Sequence, residues 1–157
     1  MAFLFFQDNR GHIRERVREF YRQKWLVAFI FYVAFLLTGT ILARSYTNPF
    51  FDITGNMWIL IDGKLNTESI INIIMFIPYT FLFITACKPQ KPLIGCFLLS
   101  LVSTVFIELF QLLFWVGWFS LADVVYNILG GMIGYILWYA QKTLSNWVLE
   151  KKKKSKL

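Results

Sequence analysis

The chain has 157 residues, of which 57% are hydrophobic and only 16% are charged, and its mean hydropathy is +0.56. A soluble domain has about 25% charged residues, so this composition excludes an ordinary water-soluble domain and indicates a surface that faces lipid. The net charge of +7 does not indicate nucleic-acid binding, because the basic residues lie at the chain ends, where they orient a membrane protein and attract anionic lipid.

Residues 1–24 form a basic leader. Its apolar residues Ile13, Val17, Phe20 and Tyr21 are spaced as one face of a helix. This spacing predicts an amphipathic helix that lies in the headgroup plane, and the alternative is a charged leader that only sets orientation. A cleaved signal peptide is disfavoured, because the apolar run that follows exceeds an h-region of about 7–15 residues.

Four apolar stretches follow the leader, each near the ~20 residues that a helix needs to cross a bilayer. They cover residues 25–43, 70–87, 93–118 and 124–140. The sequence therefore predicts an all-α, polytopic membrane protein with four transmembrane helices and an N-terminal amphipathic, basic interfacial helix. Its predicted parts are the leader (1–24), a four-helix membrane domain (25–141) and a Lys-rich tail without regular structure (142–157).

The basic residues also predict the topology. Fourteen of them fall in the leader, the second loop and the tail, and two fall in the first and third loops. By the positive-inside rule both termini lie in the cytoplasm. The long first loop, residues 44–69, carries three aromatic residues that we expect at the membrane interface: Phe50, Phe51 and Trp58.

Two cysteines and one histidine do not form a metal-binding pattern. Cys87 and Cys96 fall near the cytoplasmic ends of their segments, where a disulfide is not expected. His12 belongs to the basic leader. We therefore expect no metal and no cofactor.

Five polar residues interrupt the apolar stretches near their extracytoplasmic ends: Asn72, Glu108, Gln111, Asp123 and Asn127. A carboxylate at the centre of a membrane helix costs about 2.5 kcal/mol or more. We therefore expect these groups to line a polar intramembrane pocket, with Gln111 and Asn127 donating hydrogen bonds to Glu108. The alternatives are that the amides only pack helices together and that Asp123 caps the fourth helix.

Small and polar residues predict close helix packing around this pocket. Gly130, Gly131 and Gly134 continue the Asp123 stripe along the fourth helix and let a neighbouring backbone approach. Pro78 removes one backbone hydrogen bond from the second helix and is expected to kink it. On the third helix, three hydroxyl residues are placed to bond across it: Ser100, Ser103 and Thr104.

Two ordered motifs resemble the signatures of the VanZ-like family. The first is Asn72-Ile73-Ile74-Met75-Phe76-Ile77-Pro78, and the second runs from Glu108-Leu109-Phe110-Gln111 through Gly117 to Asp123-x-x-x-Asn127-x-x-Gly130-Gly131-x-x-Gly134. The resemblance covers residues 66–135. It implies a bacterial membrane protein, because the family is named for an accessory protein that lowers susceptibility to the lipoglycopeptide teicoplanin. Members often carry an Arg or another Asp before the matched Asp, where this chain has Trp118-Phe119-Ser120.

Together these observations favour a membrane protein that binds an amphiphilic ligand at the pocket, in the multi-pass arrangement of a bacterial cell-membrane protein. The expected ligands are a membrane lipid, a lipid-linked cell-wall precursor or a lipoglycopeptide. Two alternatives stay open. One is an enzyme that uses Glu108 and Asp123 as general acid and base on a lipid headgroup. The other is a non-catalytic helix bundle that binds a membrane-protein partner or a second copy of itself.

Overall fold

The computed structural model describes the backbone of residues 2–42, 51–52, 60–61, 64–65, 67–117 and 119–155, and the side chains of residues 13, 15–40, 67–117 and 119–155. In chain order the described elements are α1 (Ala2–Leu42), β1 (Phe51–Asp52), β2 (Leu60–Ile61), β3 (Lys64–Leu65), α2 (Thr67–Cys87), α3 (Pro92–Leu113), β4 (Phe119–Ser120) and α4 (Leu121–Lys154).

The four helices confirm the predicted all-α, membrane-spanning class. Each contains a stretch long and apolar enough to cross a bilayer: Glu15–Thr40, Thr67–Cys87, Pro92–Leu113 and Leu121–Lys154. Large apolar side chains stay exposed along the outer surface, including Phe31, Phe35, Val102 and Phe106. In water this surface would be unfavourable, whereas lipid solvates it.

The helices alternate in direction, so one end of the bundle collects the C-termini of α1 and α3 and the N-termini of α2 and α4. We call this the polar end. Helix α2 packs most extensively on α4, and the two run parallel, since Gly130 lies against Ile73 and Gly134 against Ile77. Helix α3 runs antiparallel to α4, with Thr104 bonded to Asn127. The five polar residues that the sequence predicts to line a pocket therefore belong to helix regions near this end.

Helix α1 joins the leader and the first span without interruption. It has 41 residues, which corresponds to a length of about 62 Å. The leader is thus helical, as the apolar spacing predicts, and its exposed residues include Ile13, Val17 and Phe20. The ammonium of Lys24 lies 4.4 Å from the ring centroid of Phe20, a cation–π geometry one turn along the helix.

The prediction that the Lys-rich tail lacks regular structure is wrong up to Lys154. Helix α4 has 34 residues and ends at Lys154. Cation–π contacts accompany this extension, with Lys142 5.0 Å from the Trp138 ring and Lys151 4.1 Å from the Trp147 ring. Lysines in the last turn also interact favourably with the negative end of the helix dipole.

Helix α3 ends at Leu113, five residues before the predicted end of the third apolar stretch. The Val116 N–H donates to the Gln111 carbonyl oxygen at 3.0 Å, and Trp115 has a φ of 59°. This geometry is a Schellman-type termination, in which a left-handed residue ends the helix. The chain then enters β4, which pairs in parallel with β1. The predicted interface positions of Phe50, Phe51 and Trp58 lie outside the described side chains.

An apolar core joins α1, α2 and α3 beside the polar end. Its buried members are Leu36, Phe76, Tyr79 and Ile107. The rings of Phe29 and Tyr79 stack with centroids 5.5 Å apart. Pro78 is accommodated inside α2, which continues as one helix to Cys87. This core fixes α2 between α1 and α4 and so positions the residues that line the polar end.

Candidate functional site

One face of α3 carries the buried polar residues. Ser100, Thr104, Glu108 and Gln111 follow one another at intervals of four, four and three residues, and all are buried. This spacing places them on a single stripe of the helix. Because α3 is antiparallel to α4, the stripe runs alongside the N-terminal half of α4.

Asn72 and Asp123 form a direct pair between α2 and α4. The Asn72 Nδ2 donates to Asp123 Oδ1 at 2.8 Å. Asp123 is 8% exposed, and Asn72 is partly buried. The pair joins the second turn of α2 to the first turn of α4, so it fixes their relative height at the polar end.

The N-terminus of α4 is capped by Ser120 rather than by Asp123. The Ser120 hydroxyl accepts a hydrogen bond from the Asp123 backbone N–H at 3.3 Å, which is the usual N-cap arrangement. The carboxylate of Asp123 is thereby left to accept from Asn72. An acidic side chain in the first turn is also stabilised by the positive end of the helix dipole.

Glu108 connects α3 to the same helix start. Its Oε2 accepts from the Ser120 backbone N–H at 2.8 Å, and the side chain is 1% exposed. Two carboxylates thus meet the N-terminal region of α4, one from α3 and one from α4 itself. Backbone N–H groups at a helix N-terminus are a favourable environment for negative charge.

The expected amide bonds to Glu108 are replaced by bonds to other acceptors. Gln111 Nε2 donates to the Thr40 carbonyl oxygen at 3.0 Å, in the last turn of α1. Asn127 Nδ2 donates to Thr104 Oγ1 at 2.7 Å. Both bonds differ from the predicted ones because the last carbonyl groups of α1 need donors from outside the helix, and the Thr104 hydroxyl faces α4.

Two side-chain amide oxygens at the site have no hydrogen-bond partner among the described residues. They are Gln111 Oε1 and Asn127 Oδ1, and the Ser100 hydroxyl lower on the same stripe is in the same situation. Gln111 is 1% and Asn127 5% exposed. A buried acceptor left unpaired costs about 1–3 kcal/mol, so each of these atoms is a place where a donor from a bound molecule would be stabilising.

The three glycines of α4 lie where neighbouring helices approach most closely. A Cβ on Gly130 would collide with the Ile73 backbone of α2, and one on Gly134 with the Ile77 carbonyl oxygen. On Gly131 it would collide with the Ser100 hydroxyl of α3. The Gly131 carbonyl also accepts from Thr80 Oγ1 at 2.8 Å. Small residues here let α4 contact both α2 and α3.

The structure adds residues that the sequence reasoning did not place at the site. Ser120 caps α4 and donates to Glu108, and its three-residue separation from Asp123 is a recognisable capping pattern. Thr40 contributes only a carbonyl oxygen, which no residue pattern reveals. The predicted bonds across α3 are confirmed for Ser103, which is 2.7 Å from the Tyr79 hydroxyl, and for Thr104.

We call the five predicted pocket residues, Asn72, Glu108, Gln111, Asp123 and Asn127, the polar cluster. It presents carboxylate and amide oxygens from α3 and α4, so its chemistry is that of a hydrogen-bond acceptor. Among the described residues no group of three or more His, Cys, Asp or Glu side chains is arranged to hold a metal ion.

Comparison with known proteins gives one match. The family model described as VanZ/LLP1 matches residues 1–144. The match therefore extends beyond the two motifs and includes the leader and α1. No curated protein and no solved structure matches the chain.

Proposed function

This chain belongs to the VanZ/LLP1 family, and we propose that it binds an amphiphilic ligand whose headgroup enters the polar cluster. The membrane-spanning bundle would hold the acyl part of that ligand against its lipid-facing surface. The ligand would be a membrane lipid, a lipid-linked cell-wall precursor or a lipoglycopeptide.

The observation that carries this proposal is the burial of polar groups at one end of an otherwise apolar bundle. Glu108, Gln111, Asp123 and Asn127 are each more than nine-tenths buried. Polar and ionisable groups in a membrane bundle are unfavourable unless they have partners or a function. The unpaired amide oxygens of Gln111 and Asn127 favour binding over helix packing as the reason for this cluster.

Binding is favoured over catalysis because both carboxylates already hold structural donors. Glu108 accepts from the N-cap residue of α4, and Asp123 accepts from Asn72. A general acid or base has to exchange its proton with substrate during turnover. Breaking either bond for that purpose would loosen the start of α4.

The distribution of charge supports an outward-facing cluster. Most basic residues belong to the leader, the second loop and the tail, and these regions lie at the end of the bundle opposite the polar end. By the positive-inside rule that opposite end is cytoplasmic. We therefore propose a multi-pass protein of a bacterial cell membrane with both termini in the cytoplasm, whose cluster lies at the level of the outer leaflet.

Teicoplanin susceptibility tests the proposal directly. A sensitive Gram-positive host would express the wild type, Glu108→Gln or Asp123→Asn, with membrane levels matched by blot. Both substitutions replace a carboxylate by an amide but keep an oxygen that can accept the Ser120 or Asn72 donor, so we expect the fold to be retained. We expect the wild type to lower susceptibility and each variant to return it to that of the empty vector.

The matched control is Glu150→Gln, the same chemical change on the exposed extension of α4, which should protect as well as the wild type. Vancomycin, which lacks the acyl chain, should be unaffected throughout. If Glu108→Gln and Asp123→Asn protect as fully as the wild type, the polar cluster is not the binding site. If the wild type itself gives no protection, a lipoglycopeptide is not the ligand.

A further inference from the structure

The orientation of the Gln111 amide shows what the polar cluster lacks. The Thr40 carbonyl oxygen can only accept a hydrogen bond, so the amide must turn its nitrogen toward Thr40. Gln111 Oε1 is then left as an acceptor without a partner, and its side chain is 1% exposed. The missing group at this position is a donor.

Asn127 presents a second unpaired amide oxygen, from the opposite helix. Its nitrogen donates to Thr104 Oγ1, and Oδ1 is unpaired. It lies one turn after Asp123 on α4, as Gln111 lies one turn after Glu108 on α3. Each unpaired amide oxygen is thus three or four residues from a carboxylate on the same helix face.

This arrangement selects among headgroups by charge and by hydrogen-bonding capacity. A phosphate or phosphoglycerol headgroup brings negative charge toward two carboxylates. A trimethylammonium headgroup brings positive charge but has no N–H group to donate. A primary ammonium group brings positive charge and three N–H donors, and charge-assisted bonds of this kind are the stronger ones.

Resting on the proposed function, we infer that the polar cluster selects a lipid whose headgroup carries a primary ammonium group. The ammonium would donate to one of the two unpaired amide oxygens, Gln111 Oε1 or Asn127 Oδ1, with the carboxylates of Glu108 and Asp123 supplying the electrostatic attraction. Gln111 precedes the end of α3 by two residues, about 3 Å along the helix axis, and Thr104, the partner of Asn127, precedes it by nine residues, about 13.5 Å. The two amide oxygens therefore offer a shallow and a deeper position for the ammonium.

Lipid retention by the purified full-length protein tests this inference. The protein in detergent would be incubated with equimolar phosphatidylethanolamine, phosphatidylcholine and phosphatidylglycerol of identical acyl chains, and the retained lipids counted by native mass spectrometry. We expect phosphatidylethanolamine to be retained preferentially. Asn127→Leu or Gln111→Met should lower its retention roughly tenfold, whichever removes the charge-assisted bond at the position that the ammonium occupies.

The controls repeat the same chemical changes on exposed positions of α4. Asn146→Leu and Gln141→Met should retain phosphatidylethanolamine like the wild type. Asn127→Asp keeps the acceptor oxygen and adds negative charge, so it should retain phosphatidylethanolamine over phosphatidylglycerol even if Asn127→Leu fails to fold. Phosphatidylglycerol can also bind to the lysines at the end of α4. Such binding is distinguished from binding at the polar cluster because its retention should be the same in the wild type and in the position-127 variants.

The outcomes separate the two claims. If the wild type retains phosphatidylcholine or phosphatidylglycerol preferentially, and Asn127→Leu removes it, the cluster binds a lipid but the ammonium selectivity is overturned. If no lipid depends on position 111 or 127, both the inference and the proposed binding function are overturned. Loss of phosphatidylethanolamine in folded Asn127→Asp would also overturn the selectivity.

Discussion

Alanine substitutions at two adjacent glycines of α4 should have different consequences, because they meet different kinds of atoms. A Cβ on Gly130 would collide with the Ile73 carbonyl oxygen, with the Ile73 carbonyl carbon at 2.9 Å and Cα at 3.0 Å. All three are backbone atoms of α2, which can yield only if the helix moves. A Cβ on Gly131 would collide with the Ser100 hydroxyl, the end of a side chain on α3.

The loss of stability in each variant depends on which contacts of the new Cβ remain once the nearest neighbouring atom has moved or been removed. Overpacking costs about 1–3 kcal/mol and occasionally more, and we expect Gly130→Ala to reach or exceed the upper value. Once Ser100→Ala has removed the hydroxyl, a Cβ on Gly131 meets Ser100 Cβ at 3.0 Å and Thr80 Cγ2 at 3.1 Å. The neighbours then need to shift by only tenths of an ångström, so Ser100→Ala should recover most of the stability lost in Gly131→Ala.

Ser100→Ala alone should be neutral or slightly stabilising. The Ser100 hydroxyl is buried and has no partner, and replacing an unpaired polar group by a methyl group removes an unfavourable contribution of about 1 kcal/mol. Gly39→Ala is the matched control, because a Cβ there meets only Met75 Cε at an ordinary 3.7 Å. That control should gain up to about 1 kcal/mol from helix propensity.

Thermal unfolding in detergent, followed by tryptophan fluorescence, measures these differences. A change of 1 kcal/mol shifts Tm by about 2–4 °C in a chain of this size. A double-mutant cycle between positions 100 and 131 should give a favourable coupling, and one between 100 and 130 should be close to additive. The packing argument is refuted if Ser100→Ala rescues Gly130→Ala as well as it rescues Gly131→Ala.

Two further predictions concern labelling and a buried hydroxyl pair. Cys87 is exposed and Cys96 is buried, so a membrane-impermeant maleimide should label the protein at Cys87 alone. Labelling should occur only from the cytoplasmic face of sealed vesicles. Labelling from the other face would contradict the proposed topology. Tyr79→Phe keeps the ring but removes the 2.7 Å bond to Ser103, which should cost about 1 kcal/mol, whereas Tyr139→Phe on the exposed part of α4 should leave Tm unchanged.

Helix number and the end of the bundle that carries the polar residues could be predicted from sequence. Both follow from local properties, namely the length of apolar runs and the side on which basic residues accumulate. Once four spans alternate in direction, Asn72 and Asp123 necessarily fall at the same end. The direct hydrogen bond between their side chains agrees with that placement.

The detailed partners could not be predicted, because they depend on backbone groups. Gln111 pairs with the Thr40 carbonyl, and Glu108 pairs with the Ser120 N–H. Every residue except proline offers both of these groups, so no residue pattern distinguishes the one that is used. Only the relative heights of α1, α3 and α4 decide it.

The prediction for the tail was wrong because it considered only the amino-acid composition of the tail and not the helix that the tail continues. A run of lysines alone does not bury enough apolar surface to fold. Here the run continues a helix that is already formed, so each further residue needs only propagation and no new nucleus. Lysine is also a good helix former, and α4 therefore reaches Lys154.

The long α1 restricts movement of the protein across the bilayer in one direction. Helix α1 is about 62 Å long, twice the ~30 Å of the hydrocarbon layer, and its excess length carries arginines at one end only, as the α4 extension carries lysines. Movement of the bundle toward the face without these extensions would draw these cations into hydrocarbon. In the proposed orientation the basic ends therefore act as a one-sided stop, which limits how far the bundle can move toward the outer face.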